Sequence, residues 1–430
     1  MNKRYNPTRN GNVLPLVMIA VILLLILGAS LLSMGLTNRF FSLHETSDVI
    51  SRCAADAGIT QALFKMNQIL DTGSISSYTL PTTKDSDLPE CKATYSYIVK
   101  GTLASGYTIT SLGESGKSKR AIAANIALKG LFDNAILTKE QLILKLGTII
   151  KAYDSSDPTA SDLDLIIGTQ NTASGSIVLN NSVIVGGDVA VGLGGDVDNV
   201  IKDLGATIAG DKYEFTEEYP MPDITIPTLF NMGTSLSVKS STITVTPSES
   251  GIYSSIDLST GKDIGVLEIT GGDVELHITG DIDLGNGCEI VVRDGSTLKL
   301  YVDGNINCDN GSGINAESTN KDASTLQLFG TGTGTQSFNL KAKSDWIGTV
   351  YAPNADVILF AGSDVYGSFV SNSFEYKNGG DFYYDVALQK VTQDDPGVRF
   401  VITQWKEGIL NTSFTDWDSL NITEVGVLKE

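Results

Sequence analysis

Oxygen-bearing side chains alternate along one short segment of the 430-residue chain. The alternating positions are Asp303, Asn305, Asn307 and Asp309. This spacing matches the first ligands of a calcium loop, which also needs a glycine at its sixth position and a bidentate glutamate at its twelfth. The chain has Cys308 and Ile314 at those two positions. Outward polar residues at β-turns explain the alternation equally well, so we predict no metal and no cofactor, with calcium binding as the alternative.

Two nearby carboxylates, Asp281 and Asp283, could be proposed as the acid and the base of a glycan-cleaving enzyme. A β-helix lyase would also need basic residues beside its acidic cluster. The surrounding segment, Gly271 to Asn286, contains neither lysine nor arginine. We therefore predict that the chain is not an enzyme, and glycan processing stays as the alternative.

The segment 113–118 reads Gly-Glu-Ser-Gly-Lys-Ser and follows a strand-like stretch, as a phosphate-binding loop does. That motif needs a glycine at position 111, where this chain has Ser111, and a helix afterwards, where the pattern is strand-like. We predict a hairpin turn at this segment.

The chain has only 2 histidines, which leaves little material for histidine-based catalysis or for a zinc site. His44 belongs to a helical stretch near the N-terminus. His277 falls between Leu276 and Ile278 in an alternating strand. We predict that His277 points outward and lies on the surface.

The 4 cysteines form two pairs of neighbours in the sequence. A bridge between Cys53 and Cys91 would join the N-terminal helix to the first β-rich segment. Cys288 and Cys308 are close to one turn of a β-solenoid apart and could stack on successive coils. The alternatives are two separate thiols for the first pair and two small buried apolar residues for the second.

The element that positions the rest of the chain is an apolar run from Val13 to Leu36, which contains no charged side chain. As a helix it reaches roughly 36 Å, enough to cross about 30 Å of hydrocarbon with some tilt. Lys3, Arg4 and Arg9 precede it and only Arg39 follows closely, so the N-terminus is expected in the cytoplasm. The bulk of the chain is then expected outside the cytoplasm, in the periplasm or at the cell surface. A cleaved secretory signal is the alternative.

Beyond the apolar run the helix pattern continues to about Leu70, before a break rich in glycine and serine. Apolar residues recur every seven positions and form one helix-packing stripe: Leu36, Leu43, Ile50, Ala57 and Phe64. Such a stripe lies on one helix face and needs something to pack against.

The N-terminal region resembles that of PilX-type proteins, the pilin-like minor components of type IV pilus systems. The resemblance lies in residues 11–17, Gly-Asn-Val-Leu-Pro-Leu-Val, and in residues 52–58, Arg-Cys-Ala-Ala-Asp-Ala-Gly. It implies a lipid bilayer and other pilin-like subunits as partners, and leader cleavage between Gly11 and Asn12. Pilins that are cleaved typically have a glutamate where this chain has Leu16, so cleavage stays an open question.

The composition favours a β architecture, because 44 glycines stand against 11 prolines. The net charge of -20 repels nucleic acid and anionic lipid headgroups, so we predict no nucleic-acid partner.

Strand-like segments begin after the helix. Three of them, Ala93 to Val99, Tyr107 to Leu112 and Ala121 to Leu128, predict a pilin-like meander, which is one surface against which the stripe could pack. Further on, the same apolar-any-Gly-Asp/Asn-apolar-any-apolar pattern appears at 185–191, 278–284 and 302–308. Repeats about 23 residues apart are typical of a parallel β-helix, with a β-sandwich as the alternative.

The predicted fold is therefore mainly β with a long N-terminal transmembrane α-helix: a pilin-like helix plus antiparallel strands, then a parallel β-helix (solenoid). The predicted segments are a basic leader (1–12), a transmembrane helix (13–36), a helix extension (37–72), a meander (73–130), a solenoid (131–388) and a C-terminal cap (389–430). Residues 348–357 and 364–370, together with 219–223, also resemble an uncharacterised extracellular β-rich domain that commonly follows PilX-type N-termini.

Two classes of function follow. The first is a membrane-anchored pilin-like minor component of a type IV pilus or related surface assembly, which acts structurally in assembly, priming or adhesion. The second is a membrane-tethered β-helix that binds or cleaves extracellular polysaccharide. A surface or polysaccharide ligand is thus an expected further partner.

Overall fold

The computed structural model describes residues 13–72, 79–103, 105–145, 147–216, 218–258, 264–361, 363–377, 380–392 and 395–409. The chain divides into two compact units, one of Met1–Ala127 with Phe400–Glu430 and the other of Leu128–Arg399. We call them the helix unit and the solenoid unit. The predicted fold class is confirmed, since a long N-terminal helix is followed by a mainly β chain.

The helix unit begins with α1, a helix of 60 residues over Val13–Thr72. The strands that follow are β1 (Thr82–Asp87), β2 (Ala93–Thr102), β3 (Gly106–Ser115) and β4 (Ser118–Lys129). They form an antiparallel sheet in the order β1-β2-β3-β4. Ser115 pairs with Ser118 across a two-residue turn in which Gly116 has φ 60°, so the predicted hairpin at 113–118 is confirmed. Strand β1 escaped prediction because its sequence, Thr-Thr-Lys-Asp-Ser-Asp, has no apolar alternation.

One face of the C-terminal half of α1 packs on this sheet. The buried residues of that face are Ser51, Ala54, Ala55, Ile59, Ala62, Met66 and Leu70. Small residues allow the close approach: a Cβ on Gly113 would lie 1.9 Å from the Ser51 carbonyl oxygen, and one on Gly58 would lie 2.1 Å from Ser111 Oγ. The spacing of three and four residues is that of one helix face.

The solenoid unit begins with short strands wound into parallel coils. They are β5 (Ile136–Leu144), β6 (Ile149–Tyr153), β7 (Ile166–Thr169), β8 (Ile177–Leu179), β9 (Ile184–Val185), β10 (Asp188–Val191), β11 (Ile201–Asp203), β12 (Thr207–Ile208) and β13 (Lys212–Glu214), with the four-residue helix α2 (Val197–Val200) before β11. Strands β5, β7, β10 and β13 stack in parallel register, as do β6, β9 and β12. Their alternate apolar side chains fill the interior.

A second block of coils occupies the rest of the unit. Its strands are β14 (Leu236–Ser237), β15 (Thr242–Val245), β16 (Gly251–Tyr253), β17 (Ile256–Leu258), β18 (Val266–Ile269), β19 (Asp273–Ile278), β20 (Ile282–Leu284), β21 (Glu289–Val292), β22 (Thr297–Val302), β23 (Ile306–Cys308), β24 (Gly313–Ala316), β25 (Leu326–Gly330), β26 (Gln336–Ala342), β27 (Trp346–Ala361), β28 (Val365–Tyr376) and β29 (Asp381–Asp385). Short 3-10 turns lie at Pro247–Glu249, Ala323–Thr325 and Val386–Gln389. Pairing is parallel throughout this block, and Ile282 stacks on Ile306, so one coil is 24 residues here.

The repeated glycine–acid/amide pair has a clear role in this stacking. Asp281 Oδ1 accepts a hydrogen bond from the Asn305 backbone N–H (2.7 Å), and Asn305 Oδ1 accepts one from the Ser337 N–H (2.9 Å). The glycine before each acceptor gives room for the neighbouring coil, since a Cβ on Gly304 would lie 2.3 Å from the Gly280 carbonyl oxygen. The motif therefore joins successive coils at one corner.

The two blocks of coils are not stacked in sequence order. The last long strand, β28, pairs in parallel with the first, β5, with Phe369 opposite Ile136. The order along the stack is therefore β16-β19-β22-β25-β27-β28-β5-β7-β10-β13. The chain must then cross from β13 at one end to β14 near the other.

The crossing is made by residues 218–230, which we call the strap and which contain neither helix nor strand. On its N-terminal side, the Phe215 N–H donates to the Val191 carbonyl (2.9 Å), and at its far end the Ile252 N–H donates to the Phe230 carbonyl (2.8 Å). Nine strand spacings amount to about 43 Å, and the fifteen residue-to-residue steps from 215 to 230 can span about 50 Å when extended. The strap must therefore run nearly straight along the stack.

The final strand, β30 (Arg399–Ile409), pairs beside β4 and extends the sheet of the helix unit. The Phe400 N–H donates to Asn67 Oδ1 (2.7 Å), and Asn67 Nδ2 donates to the Phe400 carbonyl (3.2 Å). The Phe400 ring also meets Tyr107 edge to face at 5.3 Å. Because β30 pairs with β4, residues 400–409 belong to the helix unit. The prediction that residues 389–430 cap the solenoid is therefore wrong for residues 400–409.

Candidate functional site

The N-terminal half of α1 presents apolar side chains on all sides. Among the described residues, α1 is the one helix long and apolar enough to cross a membrane by length and composition. Among the described residues its side chains are exposed, with Leu14 at 72% and Leu31 at 70%. Gly11 and Asn12, the predicted cleavage pair, lie outside the described residues.

The C-terminal half of α1 has two different faces. The predicted stripe is not the face that packs on the sheet: Leu43 is 58% exposed and Phe64 61%, whereas Ala55, Ile59 and Ala62 are buried. At about 100° per residue, the stripe and the buried face are centred roughly 135° apart. The prediction that the stripe packs against the meander is therefore wrong. Leu36 is also exposed, and Ile50 and Ala57 are partly exposed on the same side.

Charged groups hold the buried face of α1 in place. Arg120 binds both carboxylate oxygens of Asp48, with 2.7 Å between Nε and Oδ1, and Ser118 Oγ adds a bond of 3.1 Å. The Arg120 hydrogen bond is the main cause that lowers the pKa of Asp48. One turn further along, Arg52 forms an ion pair of 3.0 Å with Glu407 of β30, which is buried. The rotation of α1 relative to the sheet is thereby fixed.

The four cysteines are free thiols. The solenoid register explains this for one pair, because Cys308 stacks on Leu284 and Glu289, next to Cys288, stacks on Gly313. The coil is 24 residues long and not 20, so Cys288 and Cys308 occupy different positions on it, and the predicted bridge between them is corrected. Cys53 is exposed on α1, and Cys91 lies in the turn after β1, where its Sγ donates to the Leu88 carbonyl at 3.7 Å. The predicted Cys53–Cys91 bridge is likewise not formed.

The alternating polar residues take part in contacts between coils. Asp303 Oδ1 accepts from Thr331 Oγ1 (2.7 Å), and its Oδ2 lies 2.9 Å from His277 Nε2. Asn307 Oδ1 accepts from Asn339 Nδ2 (3.4 Å). Within the described part of the chain, no three His, Cys, Asp or Glu side chains group as metal ligands do.

His277 points outward, as predicted, but it is only 9% exposed, so its assignment to the surface was wrong. Ile252 and Tyr301 flank it on the neighbouring coils. The outer face of these coils is thus partly covered, a feature that single-strand alternation cannot reveal.

The carboxylates Asp281 and Asp283 lie on the outer surface of the coils, where Asp283 stacks between Asp257 and Asn307. Burial, followed by the charges of Asp281 and Asp257, raises the pKa of Asp283.

An aromatic row on the outer face of the solenoid lies beneath the strap. Tyr301, Phe329 and Tyr351 stack on successive coils and cluster with Met221, Ile224 and Ile226 of the strap. Tyr351 donates its hydroxyl to the Pro222 carbonyl at 2.7 Å. These residues form a second apolar layer outside the coil interior.

A groove of about 810 Å³ opens where the strap leaves the terminal coils. Phe215 and Tyr219 form its aromatic side, and the polar side is formed by Lys139, Glu140, Gln170, Asn171 and Thr172. The volume is in the usual range of small-molecule sites, of the order of 300 to 1,000 Å³. Sequence analysis missed this groove because its lining residues are far apart in the sequence and come together only when the coils stack.

Fold and site together define a class: a mainly β protein with one long N-terminal apolar helix, an antiparallel helix unit and a parallel solenoid. A family described as "Domain of unknown function (DUF7305)" matches residues 210–391, which include the strap and β14–β29. Comparison with curated proteins gives no match. Among solved structures, the competence-associated pilin ComZ from Thermus thermophilus is similar at 12% identity and a TM-score of 0.23, over 85% of this chain and 98% of that one. A likeness at this level is too weak to carry an argument.

Proposed function

We propose that this protein is a membrane-anchored, pilin-like component of a type IV pilus or related surface assembly. It acts structurally, without catalysis, by packing α1 beside the helices of other pilin-like subunits. The N-terminus lies in the cytoplasm and both β-rich units lie outside, where they serve assembly, priming or adhesion. The observation that carries the proposal is the outward face of α1.

The two faces of α1 differ in how far they are buried. The sheet buries one face with small side chains, and the Asp48–Arg120 and Arg52–Glu407 pairs fix its rotation. The opposite face is left with exposed large apolar side chains, such as Leu43 and Phe64. Exposed apolar surface that continues from an anchor helix is best stabilised by another apolar helix. The lipid bilayer supplies this cover only along the membrane-spanning part.

Site-specific photo-crosslinking in cells that carry a type IV pilus machinery tests the proposal. A photoreactive residue at Leu43 or Phe64 is expected to capture a pilin-like subunit, because these side chains face away from the sheet. The matched control replaces Glu317, an equally exposed residue on the solenoid, and is expected to capture no pilin-like subunit. Absence of a pilin-like partner at both helix positions, with the protein present in the membrane, would contradict the proposal.

Mass spectrometry of the native N-terminus tests the processing step. Cleavage between Gly11 and Asn12 would place the protein in the pilin-processing pathway. An intact leader would make α1 a permanent anchor and limit the proposal to lateral packing.

A further inference from the structure

We propose that the groove beside the start of the strap binds a neutral saccharide chain. The inference rests on the groove itself and is independent of the pilin-like role of α1. It concerns binding alone, with no bond made or broken.

The aromatic side of the groove suits the apolar face of a sugar ring. Phe215 and Tyr219 have their ring centroids 6.3 Å apart and are tilted by 47°, so neither covers the other. Both side chains are half-buried, which leaves part of each in contact with solvent. Partly exposed aromatic rings present a large rigid surface that loses little conformational entropy on binding.

The aromatic side is held rigidly before any ligand arrives. Tyr219 donates its hydroxyl to Asp133 Oδ2 at 2.7 Å, and its carbonyl accepts from Gln170 Nε2 at 2.6 Å. Lys129 Nζ lies 5.1 Å from the centroid of the Tyr219 ring. A site held in this way loses less entropy when a ligand binds.

The polar side offers acceptors and donors side by side. The bond from Gln170 Nε2 to Tyr219 fixes that amide and leaves Gln170 Oε1 without a partner among the described residues. Asn171 Nδ2 donates to Glu140 Oε2 (2.7 Å), which leaves Glu140 Oε1 and the second Asn171 N–H free in the same part of the chain. Adjacent hydroxyls of a sugar each donate and accept, and paired amide and carboxylate groups match both needs.

The charges of the groove favour a neutral ligand. Among the lining residues, Glu140 and Glu218 outnumber one cation, Lys139, whose Nζ already binds Asn354 Oδ1 at 3.1 Å. Beside the lining, Lys129 is paired with Asp133 (3.3 Å), and Arg399 donates to the Pro220 carbonyl (3.3 Å). The chain as a whole carries a net charge of -20. Uronic acids and sulfated sugars would meet like charge here, whereas neutral hexoses would not.

The test uses the full chain in phospholipid nanodiscs, because glycoside detergents would compete for the groove. Binding of cellohexaose, maltohexaose, laminarihexaose, mannohexaose and chitohexaose is measured by calorimetry, with polygalacturonate as the anionic comparison. We expect at least one neutral hexasaccharide to bind. Glu140→Ala and Phe215→Leu should each weaken that binding by about tenfold, since one removes a charged acceptor and the other the ring face.

The control is Glu317→Ala, which removes another exposed carboxylate that also accepts one side-chain bond, from Arg293. It should leave saccharide affinity unchanged. The Phe215 atoms nearest to Gly168 are the ring carbons Cζ and Cε2, which leucine lacks, so thermal melting checks that each variant is folded. No binding of any neutral hexasaccharide, binding of polygalacturonate alone, or neutral binding unaffected by Glu140→Ala and Phe215→Leu would each overturn the proposal.

Discussion

Glycine at the coil corners is a requirement of packing. A methyl group at residue 304 would lie 2.3 Å from the Gly280 carbonyl oxygen and 2.4 Å from its carbon, both backbone atoms that cannot rotate away. We expect Gly304→Ala to lower the free energy of unfolding by about 1 to 3 kcal/mol, the usual cost of overpacking. Denaturant titration measures the change.

Gly334→Ala is the matched control for that substitution, since a Cβ there meets nothing within 4 Å and its φ lies outside the left-handed region. It should change the free energy of unfolding by less than about 0.5 kcal/mol. Equal effects of the two variants would show that coil spacing is not what selects glycine at residue 304.

A second residue-scale prediction concerns Asp154. Hydrogen bonds, first from Ser156 Oγ and then from Lys390 Nζ (3.0 Å), lower the pKa of this carboxyl to about 2. The ionised form is therefore favoured in the folded state. Its contribution to stability is complete above the unfolded pKa of about 4 and is lost as pH falls towards 2.

Asp154→Asn should accordingly melt at a lower temperature than the parent at pH 7, and the difference should shrink as pH falls towards 2. Thermal melts across this pH range provide the measurement. Asp198→Asn, at an exposed acid with no side-chain hydrogen bond in the described structure, should show no such pH-dependent difference. A difference for Asp154→Asn that stays constant with pH would contradict the assignment.

At the scale of elements, the strap acts as the cover of the outer aromatic row. Replacing Ile224 and Ile226 together by serine removes apolar side chains that pack against the cluster of the aromatic row. The change should cost about 1 to 2 kcal/mol, since the two isoleucines are only partly buried. The strap should then be cut faster by a nonspecific protease, because fewer contacts hold it closed. Limited proteolysis followed by mass spectrometry locates the cut.

Thr225→Ser is the control for this pair, because Thr225 lies between the two isoleucines and is exposed. Its cleavage rate should match that of the parent. If the double variant were cut no faster, the strap would be held by its backbone bonds and not by apolar contact.

Elements with a strong local pattern could be predicted from the sequence, and those that depend on distant partners could not. The apolar run and its continuation predicted α1, and the glycine–acid/amide repeats predicted parallel coils. The repeat pattern states that coils stack but not which block stacks on which, so the β28–β5 pairing was out of reach. The stripe was placed on the wrong side of α1 relative to the sheet because small residues, such as Ala55 and Ala62, carry little apolar signal although they pack most closely.

In the whole molecule, the solenoid unit is inserted in the sequence between two segments of the helix unit. Strands β4 and β30 are neighbours in one sheet, yet the entire solenoid unit, Leu128–Arg399, separates them in the chain. The two ends of that unit meet, since a Cβ on Gly397 would lie 2.7 Å from Leu131 Cδ2. A domain whose ends are adjacent can be inserted between two strands without separating them.

This arrangement predicts that either unit folds without the other. If residues 132–396 are replaced by a short Gly/Ser linker, β30 should still pair with β4, and α1 should keep its contacts through Asn67 with Phe400 and through Arg52 with Glu407. Hydrogen exchange of the shortened chain in nanodiscs should show residues 51–70 as strongly protected as in the parent. Residues 128–399 expressed alone should fold and protect the strands of the coils from exchange as in the full chain, because the interior of the coils is complete within them. Loss of helix protection in the shortened chain would mean that the solenoid unit is required to form the sheet, which the strand order gives no reason to expect.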